Sequence, residues 1–112
     1  MPPAYVDLVK THGKEPGMVK RMSQLRMLWD MPARVAMLEQ FPDVQQIISL
    51  AVPSPDMLGG PDVSPTYARV ANEGMADICR QWPHKFPGFV ASLPMNNPEA
   101  ALKEMDYAID QL

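Results

Sequence analysis

The residue types that do chemistry are few in this chain and far apart. There are two histidines, His12 and His84, and a single cysteine, Cys79. No second His, Cys or carboxylate stands at ligand spacing from either histidine, so neither starts a metal site of the kind built from clustered donors. His12, between Thr11 and Gly13, falls where a first short helix ends, a place that suits an imidazole electrostatically. His84 follows Pro83 in a turn and reads as solvated. Cys79 lies beside the apolar stripe of a long helical segment, where a buried structural thiol is the default. Glu104, Asp106 and Asp110 lie off the apolar stripe of the last helix and read as a solvated charged face rather than an acid/base pair. Gly59-Gly60-Pro61 lacks the pattern of a phosphate loop and stands too far ahead of the next helix to act as one.

Composition narrows the classes further. At 112 residues the chain has the size of one domain, and its 46% apolar content suffices for a core. The net charge of −3, with scattered Lys and Arg, argues against nucleic acid as a partner. No apolar run approaches the roughly 20 residues that cross a bilayer, and the N-terminus lacks a signal-peptide pattern. One cysteine makes no internal disulfide and fits a reducing compartment. The expectation is a cytoplasmic α/β protein that engages neither nucleic acid nor membrane. The 13 prolines stand mostly singly, at the ends of elements, and act as punctuation. The 10 methionines read as adaptable core filler.

The elements that must position any site follow from periodicity and capping. Pro2-Pro3 opens a short helix through Val9. Residues 13–28, with Gly13, Pro16 and Gly17, read as a loop with at most one helical turn. Asp30 is an N-cap with Pro32 in the first turn, and Val35, Leu38 and Phe41 predict a helix over 31–40. Residues 44–52 form a short, near-continuous apolar run, which predicts a strand buried on both faces. Residues 53–64 read as an irregular loop. Ser64 is the expected N-cap of the longest helix, 65–82, with Pro65 at N1; Gly74 inside it costs about 1 kcal/mol against Ala and points to close packing. Residues 88–93 are the second strand. Asn97 caps a helix over 97–112, with Ala101, Leu102, Met105, Ala108, Ile109 and Leu112 as its apolar stripe. The order is α-α-β-α-β-α, and its middle is a right-handed βαβ unit if the strands are parallel. Two strands leave both sheet edges open and helix faces without partners.

Specific residues resemble a known group. Trp29-Asp30, then Arg34, then Met37-Leu38-Glu39 are similar to the entry helix of the amidohydrolase-related enzymes. Those are metal-dependent (β/α)8 barrels that include aminocarboxymuconate-semialdehyde decarboxylase and the resorcylate and carboxyvanillate decarboxylases. Val44-Gln45 leading to Ile48-Ser49-Leu50 and Pro53, then Ala71-Asn72-Glu73, Trp82-Pro83, Phe86-Pro87-Gly88-Phe89, Leu93-Pro94 and Pro98-Glu99-Ala100-Ala101 continue the match over most of 29–112. Pro2-Pro3-Ala4 resembles the stretch just after the first barrel strand.

The resemblance implies residues 1–112 as a single incomplete domain, an N-terminal portion of such a barrel with two of its parallel strands. It implies a parent enzyme that uses a divalent metal, zinc above all, on a small carboxylated, often aromatic substrate, by decarboxylation or hydrolysis. The family's histidine and aspartate ligands have no counterparts here, so no metal and no catalysis are expected of this chain alone. Because barrel active sites lie at the C-terminal ends of the strands, Ser49, Ser54 and Ser92 become candidate substrate hydrogen-bond donors. Arg21 is a candidate partner for a substrate carboxylate. Expected partners are a small-molecule substrate in the parent enzyme and, for this chain, the rest of a barrel or a second copy. The rival expectation is a non-catalytic α/β binding or assembly module that hides its open edges by self-association.

Overall fold

A computed structural model describes all of residues 1–112. Helix α1 (Pro3–His12) is followed by α2 (Pro16–Gln24), a 3-10 turn at Arg26–Leu28, α3 (Met31–Leu38), strand β1 (Ile47–Ser49), one-turn helix α4 (Pro55–Leu58), α5 (Ser64–Gln81), β2 (Gly88–Val90) and α6 (Pro98–Gln111). The two strands pair in parallel, Ile47 with Gly88, Ile48 with Phe89 and Ser49 with Val90. α5 is the crossover between them, as the sequence predicts. The chain is thus mixed α/β, mostly helical, and shaped as a slab of 42 × 36 × 16 Å.

Several elements form for the reasons read from the sequence. The Asp30 carboxylate accepts from the Ala33 N–H at 3.0 Å, and the Asn97 side chain accepts from the Ala100 N–H at 3.1 Å. Both are N-caps with proline in the first helical turn. Gly74 lies against the buried Pro2 ring, and a methyl group there would collide with it.

Four expectations are corrected. Residues 13–28 are helical over most of their length. Pro16 supplies the first turn of α2 rather than a loop, and Met22 on its inner face is buried. The 53–64 loop contains the α4 turn, opened by Pro55. Ser64 does not cap α5: its hydroxyl donates to Asn96 Oδ1, 2.5 Å away, and Val63 holds the cap position. The strands are shorter than 44–52 and 88–93, and β1 is buried on one face only. Ile48 is 5% exposed against the helices, whereas Ile47 is 61% exposed on the open face. With no third strand and no second layer over that face, alternate side chains meet solvent.

The core lies on the helical side of the sheet, in two clusters along α5. Tyr5, Val6 and Val9 of α1 pack with Met22, Leu58 and Ala71. Met31 and Leu38 of α3 pack with Ile48, Met75, Ile78 and Phe86.

Candidate functional site

Parallel pairing brings the C-terminal ends of β1 and β2 side by side. Ser49 ends β1 opposite Val90, the last residue of β2, so Ser92 lies two residues beyond the end of the neighbouring strand. Ser49 is exposed, on the same face as Ile47 and Val90, while Ser54 and Ser92 are half-buried. Ser54 precedes α4, and its carbonyl accepts from Met57 and Leu58. The segment between Ser49 and Ser54 is held by the Tyr5 hydroxyl, which donates to the Pro53 carbonyl at 2.9 Å. Burial pushes the Tyr5 hydroxyl well above its ordinary pKa, with Asp56 adding to the effect. Arg21 lies apart from the serines, exposed on α2, with its Nε 3.4 Å from the Gly17 carbonyl.

The end of β2 is held by a group the sequence reading gave no role. Asn72 is fully buried on α5; its Oδ1 accepts from the Ser92 N–H at 2.7 Å and its Nδ2 donates to the Ser92 carbonyl at 2.9 Å. The side-chain amide thus stands in for the peptide group of a neighbouring strand. The same Nδ2 donates to Glu104 Oε1 at 2.8 Å, and Arg69 Nε donates to Glu104 Oε2 at 2.8 Å. Glu104 is 4% exposed, so its reading as a solvated residue is corrected: two partners from α5 make its burial tolerable. Asp106 and Asp110 are exposed. Arg69 also stacks over the Tyr107 ring, 3.4 Å from its centroid, and Tyr107 donates to Glu73 at 3.0 Å.

One signal could have revealed Asn72. Ala68, Ala71, Asn72 and Met75 stand at i, i+3, i+4 and i+7, the spacing of a buried helix face. An amide there must find partners. The burial of Glu104 had no local signal, because its partners lie more than thirty residues upstream.

As a donor set for a metal, the residues present do not fit. No three His, Cys, Asp or Glu side chains converge. His12 stacks on Tyr67 with ring centroids 5.4 Å apart, and His84 is exposed in the turn before β2. Cys79 is half-buried, and burial raises its thiol above the ordinary value, which disfavours a reactive thiolate.

No protein-family model matches the chain. Three curated relatives do. A decarboxylase of Aspergillus niger, yanB, is 33% identical over 116 aligned positions that take in the whole chain. Gamma-resorcylate decarboxylases of Rhodococcus jostii and of a Polaromonas species are 29% and 30% identical over 89% and 78% of the chain. The chain spans 26–30% of the length of these relatives. It is therefore similar, along most or all of its own length, to something under a third of each of three proteins named as decarboxylases.

Proposed function

We propose that this chain provides two strands and the flanking helices of a (β/α)8 decarboxylase of the amidohydrolase-related group, acting on a small aromatic carboxylate. One observation carries the reading: a parallel β1–α5–β2 unit lies in a chain whose relatives are named decarboxylases. In such a barrel the open face, with Ile47, Ser49, Gly88 and Val90, would look inward. The half-buried Ser54 and Ser92 would stand at the rim, where barrel enzymes bind substrate. Ser49, Ser54 and Ser92 would offer hydroxyls to the substrate's oxygens, and Arg21 a guanidinium to its carboxylate. Asn72 would act by positioning Ser92. The divalent metal that the resemblance implies finds no donor set among these residues, so no residue is assigned to it and no step is derived through it. The working compartment in this reading is the cytoplasm.

The test is a chimaera in which residues 1–112 replace the matching segment of the Rhodococcus jostii enzyme, assayed for decarboxylation of gamma-resorcylate. Turnover above that of a vector control is expected, reduced at least about tenfold, or ~1.4 kcal/mol of barrier, by Ser92→Ala. A folded chimaera without turnover would count against the assignment.

A second reading, a self-associating α/β module, is favoured by the apolar side chains that meet solvent. Besides Ile47, these include Val90 (58% exposed) on the sheet and Ile109 (75% exposed) on α6.

A further inference from the structure

The two loops that follow the strands are fastened to one another. Residues 50–63 link β1 to α5, and residues 91–97 link β2 to α6. Asn96 bridges them: its Oδ1 accepts from the buried Ser64 hydroxyl, and its Nδ2 donates to the Gly59 carbonyl at 3.0 Å. Asn97 adds a third tie, its Nδ2 donating to the Pro61 carbonyl at 2.8 Å. Gly59 is itself buried, so its carbonyl needs a partner, and Asn96 provides it.

Each loop is also held near its strand by a helix side chain, Tyr5 on the Pro53 carbonyl and Asn72 on Ser92. Ser54 thus lies between two anchors, Tyr5 before it and Asn96 after the α4 turn. Gly59-Gly60 would be the natural hinge of the first loop, because glycine absorbs large backbone changes. The Asn96 amide closes on that hinge. A methyl group at Gly59 would collide with Val63 and Tyr67, so the chain also returns tightly onto the start of α5. Asn96 stands at the surface and belongs to neither core cluster, which makes its removal a local change.

We infer that Asn96 is a positioning residue. Through Gly59 and Ser64 it fixes the loop that carries Ser54 against the loop that carries Ser92, so both serines are in place before a ligand arrives. Asn96 has this role only if the strand ends bind substrate as proposed above. A substrate that meets either serine then avoids the cost of ordering the loop around it. Asn96 itself touches no reacting atom. Ser49, on the strand, and Arg21, on α2, do not depend on it.

Amide hydrogen exchange of the full chain reads the tie directly. The Gly59 and Ser64 N–H groups are bonded within the first loop, to the Pro55 and Gly60 carbonyls. Asn96→Ala is expected to speed the exchange of both by at least about tenfold, and that of α2 by less than about twofold. From the other side, Ser64→Ala should speed the Asn97 N–H, which is bonded to the Pro94 carbonyl, by about threefold or more. Unchanged rates at Gly59 and Ser64, an equal rise in α2, or an Asn97 amide indifferent to Ser64→Ala would overturn the inference. In the chimaera, Asn96→Ala should raise KM for gamma-resorcylate about threefold or more and leave kcat within about twofold. Simple destabilisation would instead lower the active fraction, and with it kcat, at constant KM. A constant KM in an active chimaera would overturn the positioning role. A folded chimaera without turnover would count against the enzyme assignment, and the exchange rates would still decide whether Asn96 joins the two loops.

Discussion

Replacing Asn72 by Asp exchanges one heavy atom and changes almost no shape. Oδ1 would still accept the Ser92 N–H. The atom in the Nδ2 position would turn from a donor into an anionic oxygen, facing the Ser92 carbonyl 2.9 Å away and the Glu104 carboxylate 2.8 Å away. Two hydrogen bonds are lost, at about 1 kcal/mol each. Two like charges roughly 4 Å apart add repulsion of up to about 4 kcal/mol at an effective dielectric constant near 20. Arg69, already bound to Glu104 at 2.8 Å, offsets part of this. The net expectation at pH 7.5 is a loss of about 4 kcal/mol, against about 3 kcal/mol for Asn72→Ala, which removes all three bonds without adding charge.

The two variants also separate by pH. Repulsion raises the introduced carboxyl's pKa in the fold above its unfolded value near 3.9. The folded state then binds the extra proton first, so stability rises as pH falls through the raised pKa towards 4. Urea unfolding followed by far-ultraviolet circular dichroism from pH 5 to 8 gives both numbers. Asn72→Asp should recover most of its deficit relative to Asn72→Ala on acidification. A loss under about 1 kcal/mol relative to the parent protein for Asn72→Asp at pH 7.5, or parallel pH profiles for the two variants, would refute the description of this network.

Two further tests address other contacts. Tyr5→Phe should lower stability by about 1 kcal/mol near neutrality, through loss of the bond to Pro53. The raised Tyr5 pKa means that its stabilising share is intact below about pH 10 and lost above it, so urea midpoints of the two proteins should converge as the pH climbs past 10. The exposed Ile47 and Val90 lie on one face of the paired strands, and sedimentation velocity over a concentration series should show self-association of the parent that Ile47→Lys with Val90→Lys reduces. A parent that stays monomeric throughout would remove that face as a contact surface.

The parts of the fold that were legible in the sequence are those decided locally. The Asp30 and Asn97 caps, the proline stops and the apolar face of α5 each depend on residues within a turn or two of one another. The parallel order followed from the long helix between two short apolar runs. What was not legible depended on distant partners. α2 was missed because Pro16-Gly17 is as good a loop as a helix start, until the buried side of Met22 decides between them. On α6 the stripe drawn from hydrophobicity includes Leu102 and Ile109, yet these are 61% and 75% exposed, while Ala101 and Glu104 face inward. The helix is oriented by the Arg69 and Asn72 partners of Glu104, which no local pattern on α6 encodes. The strand-end serines were placed in sequence by the resemblance, and the structure sets Ser49 at the end of β1 and Ser92 two residues past the end of the adjacent β2. The Asn72 clamp on Ser92 arises only from tertiary packing.

The two core clusters share little besides α5. Ala71 belongs to one, Met75 and Ile78 to the other, and Leu50 is the one partly buried side chain packed against both. α5 also packs on α1, α4, β2 and α6. Neither cluster can open without stripping cover from one side of this helix, and β2 loses its support from Asn72 if α5 frays at its middle. The thermodynamic consequence is a single cooperative unit centred on residues 68–78, whose amide protons exchange with solvent only when the whole chain unfolds. The outer turns of α2 and α6 can open and close on their own, without disturbing the strand ends.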